Sequence, residues 1–189
     1  LPQWQRKTFW QQLSIATSQP VDAAANSLKT ATREEVLTAQ KPVVLFVDTF
    51  NGTFESGNAL AALQVLQAAG YTVHVATKAQ PDGKHLCCGR TYLANGMIDQ
   101  AKVKAAEVVA SLLPFAEKGI AIVGLEPSCL LTLRDEMLVM GLGPAAQTIS
   151  DHALLFEEFL AREAAAGQLD SLKSKLKATN QAILLHGHC

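Results

Sequence analysis

The chain has 189 residues, 49% hydrophobic and 17% charged, and its 16 basic and 17 acidic side chains leave a net charge of −1. That length is enough to bury a core without disulfides or a structural metal, and the balanced charge removes the electrostatic drive for general nucleic-acid binding. No apolar run approaches the ~18 residues a spanning helix needs, and charge this sparse points to a surface that meets other protein.

Residues 1–40 stand apart as a helical arm or linker. Trp4, Phe9, Trp10 and Leu13 recur at helical spacing until Gln19-Pro20. An Ala-, Thr- and Glu-rich stretch follows, in which Thr32 precedes Glu35 by three residues, as in a capping box. From Lys41 the pattern changes. Residues 43–47 are a continuous, largely β-branched apolar run of the kind a buried parallel strand needs. Ser56 is placed to cap a helix that runs to residue 69 and closes at Gly70. Residues 71–76 predict a second strand and 98–116 a long helix with Lys102, Lys104 and Glu107 on its wet side. Residues 120–125 predict a third strand, 130–140 a helix stopped by Gly141, 151–163 another helix, 169–177 a short one, and 182–185 a last strand.

This order, β-α-β-α-β-α-α-β, predicts an α/β fold: a parallel sheet of about four strands with helices on both faces, a Rossmann-like three-layer module over 41–189 preceded by the arm. The chain opens Leu1-Pro2-Gln3-Trp4 and closes on Cys189 just past an apolar run, the pattern expected of a piece of a longer protein.

Four cysteines in a chain of this size, with no export signal at its start, read as reduced thiols of a cytoplasmic protein, at most peripheral to the inner face of a membrane. Their positions carry more information than their number. Asp48 follows the first strand, Cys87-Cys88-Gly89-Arg90 lies after the second, Glu126-Pro127-Ser128-Cys129 follows the third, and His186-Gly187-His188-Cys189 follows the last. An open parallel sheet delivers the segments after its strands to one edge, where ligands bind. Adjacent cysteines can face one metal only if the backbone bends, and Gly89 permits such a bend. Thiolates suit zinc or an iron–sulfur cluster. Taken alone, Cys87-Cys88 reads more readily as a buried pair of small hydrophobes, and it is Cys129 and Cys189 at the same edge that turn the reading toward ligation. Cys129 is at a helix start, where a thiolate is favoured and either metal ligation or redox reactivity fits. His85, just before Cys87, reads as a group supporting the cysteines or, more readily, as an ordinary exposed histidine; Arg90 reads as a surface cation or an anion partner, and His74 and His152 carry little functional weight. No dinucleotide fingerprint, P-loop, nucleophile elbow or zinc-protease helix occurs.

Asp48-Thr49-Phe50-Asn51, Leu86-Cys87-Cys88-Gly89-Arg90, Gly124-Leu125-Glu126-Pro127-Ser128-Cys129, Arg134-Asp135-Glu136 and His186-Gly187-His188-Cys189 form one series. The series resembles the cysteine-rich CCG region of FAD-linked D-2-hydroxyacid dehydrogenases of the D-lactate and D-2-hydroxyglutarate type. It is similar also to the glycolate oxidase iron–sulfur subunit and to the CCG-bearing subunit of heterodisulfide reductase. The resemblance implies an electron-transfer module of an oxidoreductase, with Cys87, Cys88, Cys129 and Cys189 as metal ligands and Asp48, Arg90, Glu126, His186 and His188 in support. An iron–sulfur cluster, or zinc in its place, would be held here, and FAD elsewhere in the parent protein. The implied partners are an FAD domain, a ferredoxin-like segment and a second CCG module, which the Gly-His-Cys motif opens; the fragment alone is not expected to be active. Compared with the heterodisulfide reductase pattern, cysteines are replaced at or near Asp48 and at Glu126. Thiol–disulfide catalysis and metal-free docking are the alternative roles.

Overall fold

In a computed structural model of the chain, residues 6–18, 30–79, 85–178, 182 and 184 are described. In chain order the helices are α1 (Phe9–Ser18), α2 (Arg33–Thr38), α3 (Thr49–Thr53), α4 (Ser56–Ala68), α5 (Arg90–Ala94), α6 (Ile98–Ala116), α7 (Pro127–Arg134), α8 (Pro144–His152), α9 (Phe156–Ala165) and α10 (Asp170–Lys173). The strands are β1 (Pro42–Phe46), β2 (Thr72–Val75), β3 (Ile122–Gly124) and β4 (Ala153–Leu155). They form one sheet in the order β2-β1-β3-β4, every pair parallel.

Side chains of a strand alternate between faces, and β1 with the residue after it feeds two cores. Val43, Leu45 and Val47 pack with Phe9, Leu63, Leu66 and Phe159 on one side; Val44 and Phe46 pack with Val108, Leu112, Leu130 and Ile149 on the other. Burial on both faces is the reason the run is apolar throughout. The architecture is therefore the expected three-layer α/β fold, Rossmann-like, with α1, α4 and α9 contributing to one outer layer and α2, α6, α7 and α8 to the other. The crossover from β1 to β2 passes over the first face and that from β2 to β3 over the second. The chain thus reaches the two neighbours of β1 in opposite directions, and that reversal opens a crevice at the carboxyl ends of β1 and β3.

Several local expectations hold at atomic detail. Thr32 Oγ1 accepts from the Glu35 amide at 3.2 Å while Glu35 Oε2 accepts from the Thr32 amide at 2.8 Å, a complete capping box. The long helix occupies Ile98–Ala116 as read from the sequence.

Others do not. Ser56 is not a cap: it is the first residue of α4 and fully buried, its hydroxyl donating to the Lys7 carbonyl at 3.0 Å and accepting from Gln12 Nε2 at 2.8 Å. Its polar group is spent on holding α1. The helix expected over 130–140 starts earlier, at Pro127, and stops at Arg134, because Asp135 leaves helical geometry (φ −128°, ψ −81°) before a 3₁₀ turn at Glu136–Val139. The helix expected over 151–163 is two helices with β4 between them. Ala153–Leu155 pairs with β3, and Glu158 Oε2 then accepts from the Leu155 amide at 2.9 Å to start α9 afresh. The strand expected over 182–185 falls outside the described residues except for Ala182 and Leu184, which are in no strand. Trp4, the Gln19-Pro20 break and most of the Ala-rich stretch also fall outside them. Among the described residues no helix is long and apolar enough to cross a membrane.

Candidate functional site: a cluster of thiols at the sheet edge

Phe46 at the end of β1 is paired with Gly124 at the end of β3. Two residues beyond each comes a carboxylate, Asp48 and Glu126. Asp48 is 2% exposed and caps α3: Oδ1 accepts from the Phe50 and Asn51 amides at 2.8 and 3.0 Å, and Oδ2 from Asn51 Nδ2 at 2.7 Å. Glu126 caps α7, accepting from the Ser128 amide at 3.3 Å, with Pro127 as the first helical residue. Both acids expected to support a metal are thus engaged with free amides of a first helical turn.

The two caps set two helix starts side by side, and each start presents a residue to the thiols. Thr49, first in α3, lies beside the Cys87 sulfur. Cys129, in the first turn of α7, is buried beside the Cys88 thiol. Between them the His85–Arg90 segment crosses the crevice. Leu86 and Cys88 are buried in the α6-side core, whereas Cys87 is partly exposed. Gly89 makes the bend that the adjacent cysteines require. Its φ is +83°, and a Cβ there would lie 3.1 Å from both the Ala101 carbonyl oxygen and Lys104 Cβ, so α6 leaves room for no side chain. The bend also turns two amides back onto sulfur, Gly89 N–H onto Cys87 and Arg90 N–H onto Cys88 at 3.4 Å.

The three thiols are neighbours in turn, Cys87 beside Cys88 and Cys88 beside Cys129. The bond to Cys88, then burial, push the Cys87 thiol well above the ordinary range, against the opposing pull of Gly89 N–H and the Thr49 hydroxyl. Cys88 is pushed up to about 12, first by the bond to Cys129, with burial adding to it and the bond from Cys87 opposing it. All three are free thiols.

Arg90 is ion-paired with Glu136 in the 3₁₀ turn, tying the Cys87-Cys88 segment to the stretch that follows Cys129. Arg134 pairs with Glu158 at 2.7 Å. His74 Nδ1 is 2.9 Å from the Ala31 carbonyl oxygen and its ring packs on Phe115; burial lowers its pKa. His152 Nδ1 lies 2.8 Å from the Thr148 carbonyl oxygen. His85 is exposed, but its ring is stacked on Trp10 with centroids 4.0 Å apart and planes 7° from parallel, and burial lowers its pKa. That stack and the Thr49 contact are the parts of the site that sequence reading missed. His186, His188 and Cys189 lie outside the described residues.

The donor set fits a thiophilic centre in chemistry and in place: soft sulfurs from two distant segments meet at the edge where an α/β sheet binds ligands. Among the described residues no group of three or more His, Cys, Asp or Glu side chains is placed so as to hold a metal ion. No family model, curated protein or solved structure gives a significant match to the chain.

Proposed function

We propose that this chain is the cysteine-rich electron-transfer module of an FAD- and iron–sulfur-dependent D-2-hydroxyacid dehydrogenase. In this reading Cys87, Cys88 and Cys129, with Cys189, are the ligands of an iron–sulfur cluster, or of zinc when the cluster is absent. The observation that carries the reading is the contact of Cys87, Cys88 and Cys129 at the carboxyl edge of β1 and β3. When bound, a cluster supplies a site that takes up and passes on single electrons. The chain's own part is to hold the sulfurs. Gly89 sets the bend, Leu86 anchors it in the core, and Asp48 and Glu126 fix the helix starts on either side.

Thiol–disulfide exchange needs a thiolate near neutral pH, and Cys87 and Cys88 are pushed the opposite way. A cation reverses that balance, because a coordinated thiol is deprotonated outright. The FAD part, the ferredoxin-like segment and the second CCG module are the proposed partners, in a cytoplasmic setting that keeps thiols reduced.

Anaerobic reconstitution with ferrous iron and sulfide tests the reading, with bound iron and sulfide quantified and the product followed by optical and paramagnetic-resonance spectra. Stoichiometric loading that is lost in Cys88→Ser and Cys129→Ser is the expected result. Loading no greater in the wild type than in a Cys87, Cys88, Cys129 triple-serine variant would refute it and leave metal-free docking as the role.

A further inference from the structure

We propose that Trp10 is a positioning residue of the cysteine site, so that the N-terminal helix, which the sequence sets apart as an arm, is a working part of it. Cys87 lies between Thr49 of α3 and the Gly89 amide of its own segment. The Trp10 indole touches the elements that supply both. One contact is the parallel stack on His85, two residues before Cys87. The other is Gly52 of α3, where an added Cβ would meet Trp10 Nε1 at 3.1 Å. One flat ring thus fills the angle between α3 and the cysteine segment. Gly52 does not have a left-handed backbone, so it is the approach of the indole that favours a residue without a side chain there.

The ring is itself held in place. Phe9, wholly buried, meets it edge-on with centroids 5.1 Å apart, and Gln12 one turn along donates to both the Ser56 hydroxyl and the Lys7 carbonyl. A stack of this kind is worth roughly 0.5–1.5 kcal/mol beyond area burial, a rate factor of roughly two to ten if it opposes a local opening. The proposal rests on the cysteine site but not on a metal occupying it.

The experiment is site-resolved alkylation of the reduced, metal-free chain at constant pH, each cysteine read by peptide mass, with amide exchange of Val43–Phe46 as the monitor of the core. Trp10→Ala and His85→Ala are each expected to speed Cys87 labelling roughly two- to tenfold, the double variant no more than either alone, with β1 protection unchanged. Trp10→Phe, which keeps a flat ring, is expected to label like the wild type. Unchanged Cys87 rates in Trp10→Ala and His85→Ala overturn the proposal, and so does a rise in both that comes with loss of β1 protection. Should Trp10→Ala fail to fold, His85→Ala decides alone, since His85 is exposed and belongs to no helix or strand. Failure of iron or zinc to bind would leave the labelling result standing, and a null labelling result would leave the metal reading untouched.

Discussion

The Arg90 guanidinium is paired with the Glu136 carboxylate, and this contact joins the segment that carries Cys87 and Cys88 to the stretch that follows Cys129. The two side chains are 43% and 28% exposed, so water screens the pair and its contribution to global stability is under about 1 kcal/mol. Its effect on the thiols is local. Arg90→Ala and Glu136→Gln should each move the urea midpoint little but weaken cadmium binding, read from the sulfur-to-cadmium charge-transfer band. A double-mutant cycle should show the two effects to be non-additive.

Asp48 carries three hydrogen bonds at a nearly water-free position. Losing them leaves buried amides unpaired, which costs about 1–3 kcal/mol. Asp48→Ala should lower urea stability by that amount. Asp48→Asn, which keeps one acceptor oxygen for the first turn, should lose less. Equal losses in the two variants would show that the carboxylate's charge matters more than its cap bonds.

The pH dependence of stability follows from the thiols. Cys88 is pushed up from the ordinary thiol value of 9.0 in the folded chain, so above that value the unfolded chain binds fewer protons than the folded one. Stability is therefore full below about pH 9 and declines as pH rises toward 12. Cys87 is shifted in the same direction and adds to the slope. Tyr71, raised by burial and by its bond to Glu163, contributes at the upper end of the same window. Urea midpoints measured from pH 7 upward should fall less steeply in Cys88→Ala, with Tyr71→Phe separating the phenol from the thiols.

Gly89→Ala places a side chain in a left-handed backbone against α6, with its Cβ 3.1 Å from the Ala101 carbonyl oxygen. Strain of this kind costs about 1–3 kcal/mol. The variant should lose that much in urea unfolding. Relief of the strain by local rearrangement should also move Cys88 away from Cys129, seen as faster labelling of the otherwise buried Cys88.

The features legible in the sequence are those decided locally. The continuous run at 43–47 specifies a doubly buried strand, the Thr32–Glu35 pair writes its own cap, and Gly89 beside two cysteines announces its bend. What could not be read depends on distant partners. Ala153-Leu154-Leu155 suits a helix as well as a strand, and pairing with β3 on the side away from β1 decides between them. Asp48 and Glu126 at strand exits look alike whether they bind a metal or cap a helix, because both uses place an acid at the sheet edge. Trp10 and His85 are far apart in the chain, with no spacing rule to relate them.

The pairing of Phe46 with Gly124, each followed two residues later by its carboxylate, leaves the two exits no slack. An inserted or deleted residue in either would shift the capping carboxylate and the helix start relative to the strand end, moving Thr49 or Cys129 out of its place at the crevice. Indels should therefore be far better accepted at exposed turns such as the one around Gly96 than at these two junctions, and a designer grafting the site onto another scaffold would have to transplant both strand-to-helix spacings unaltered.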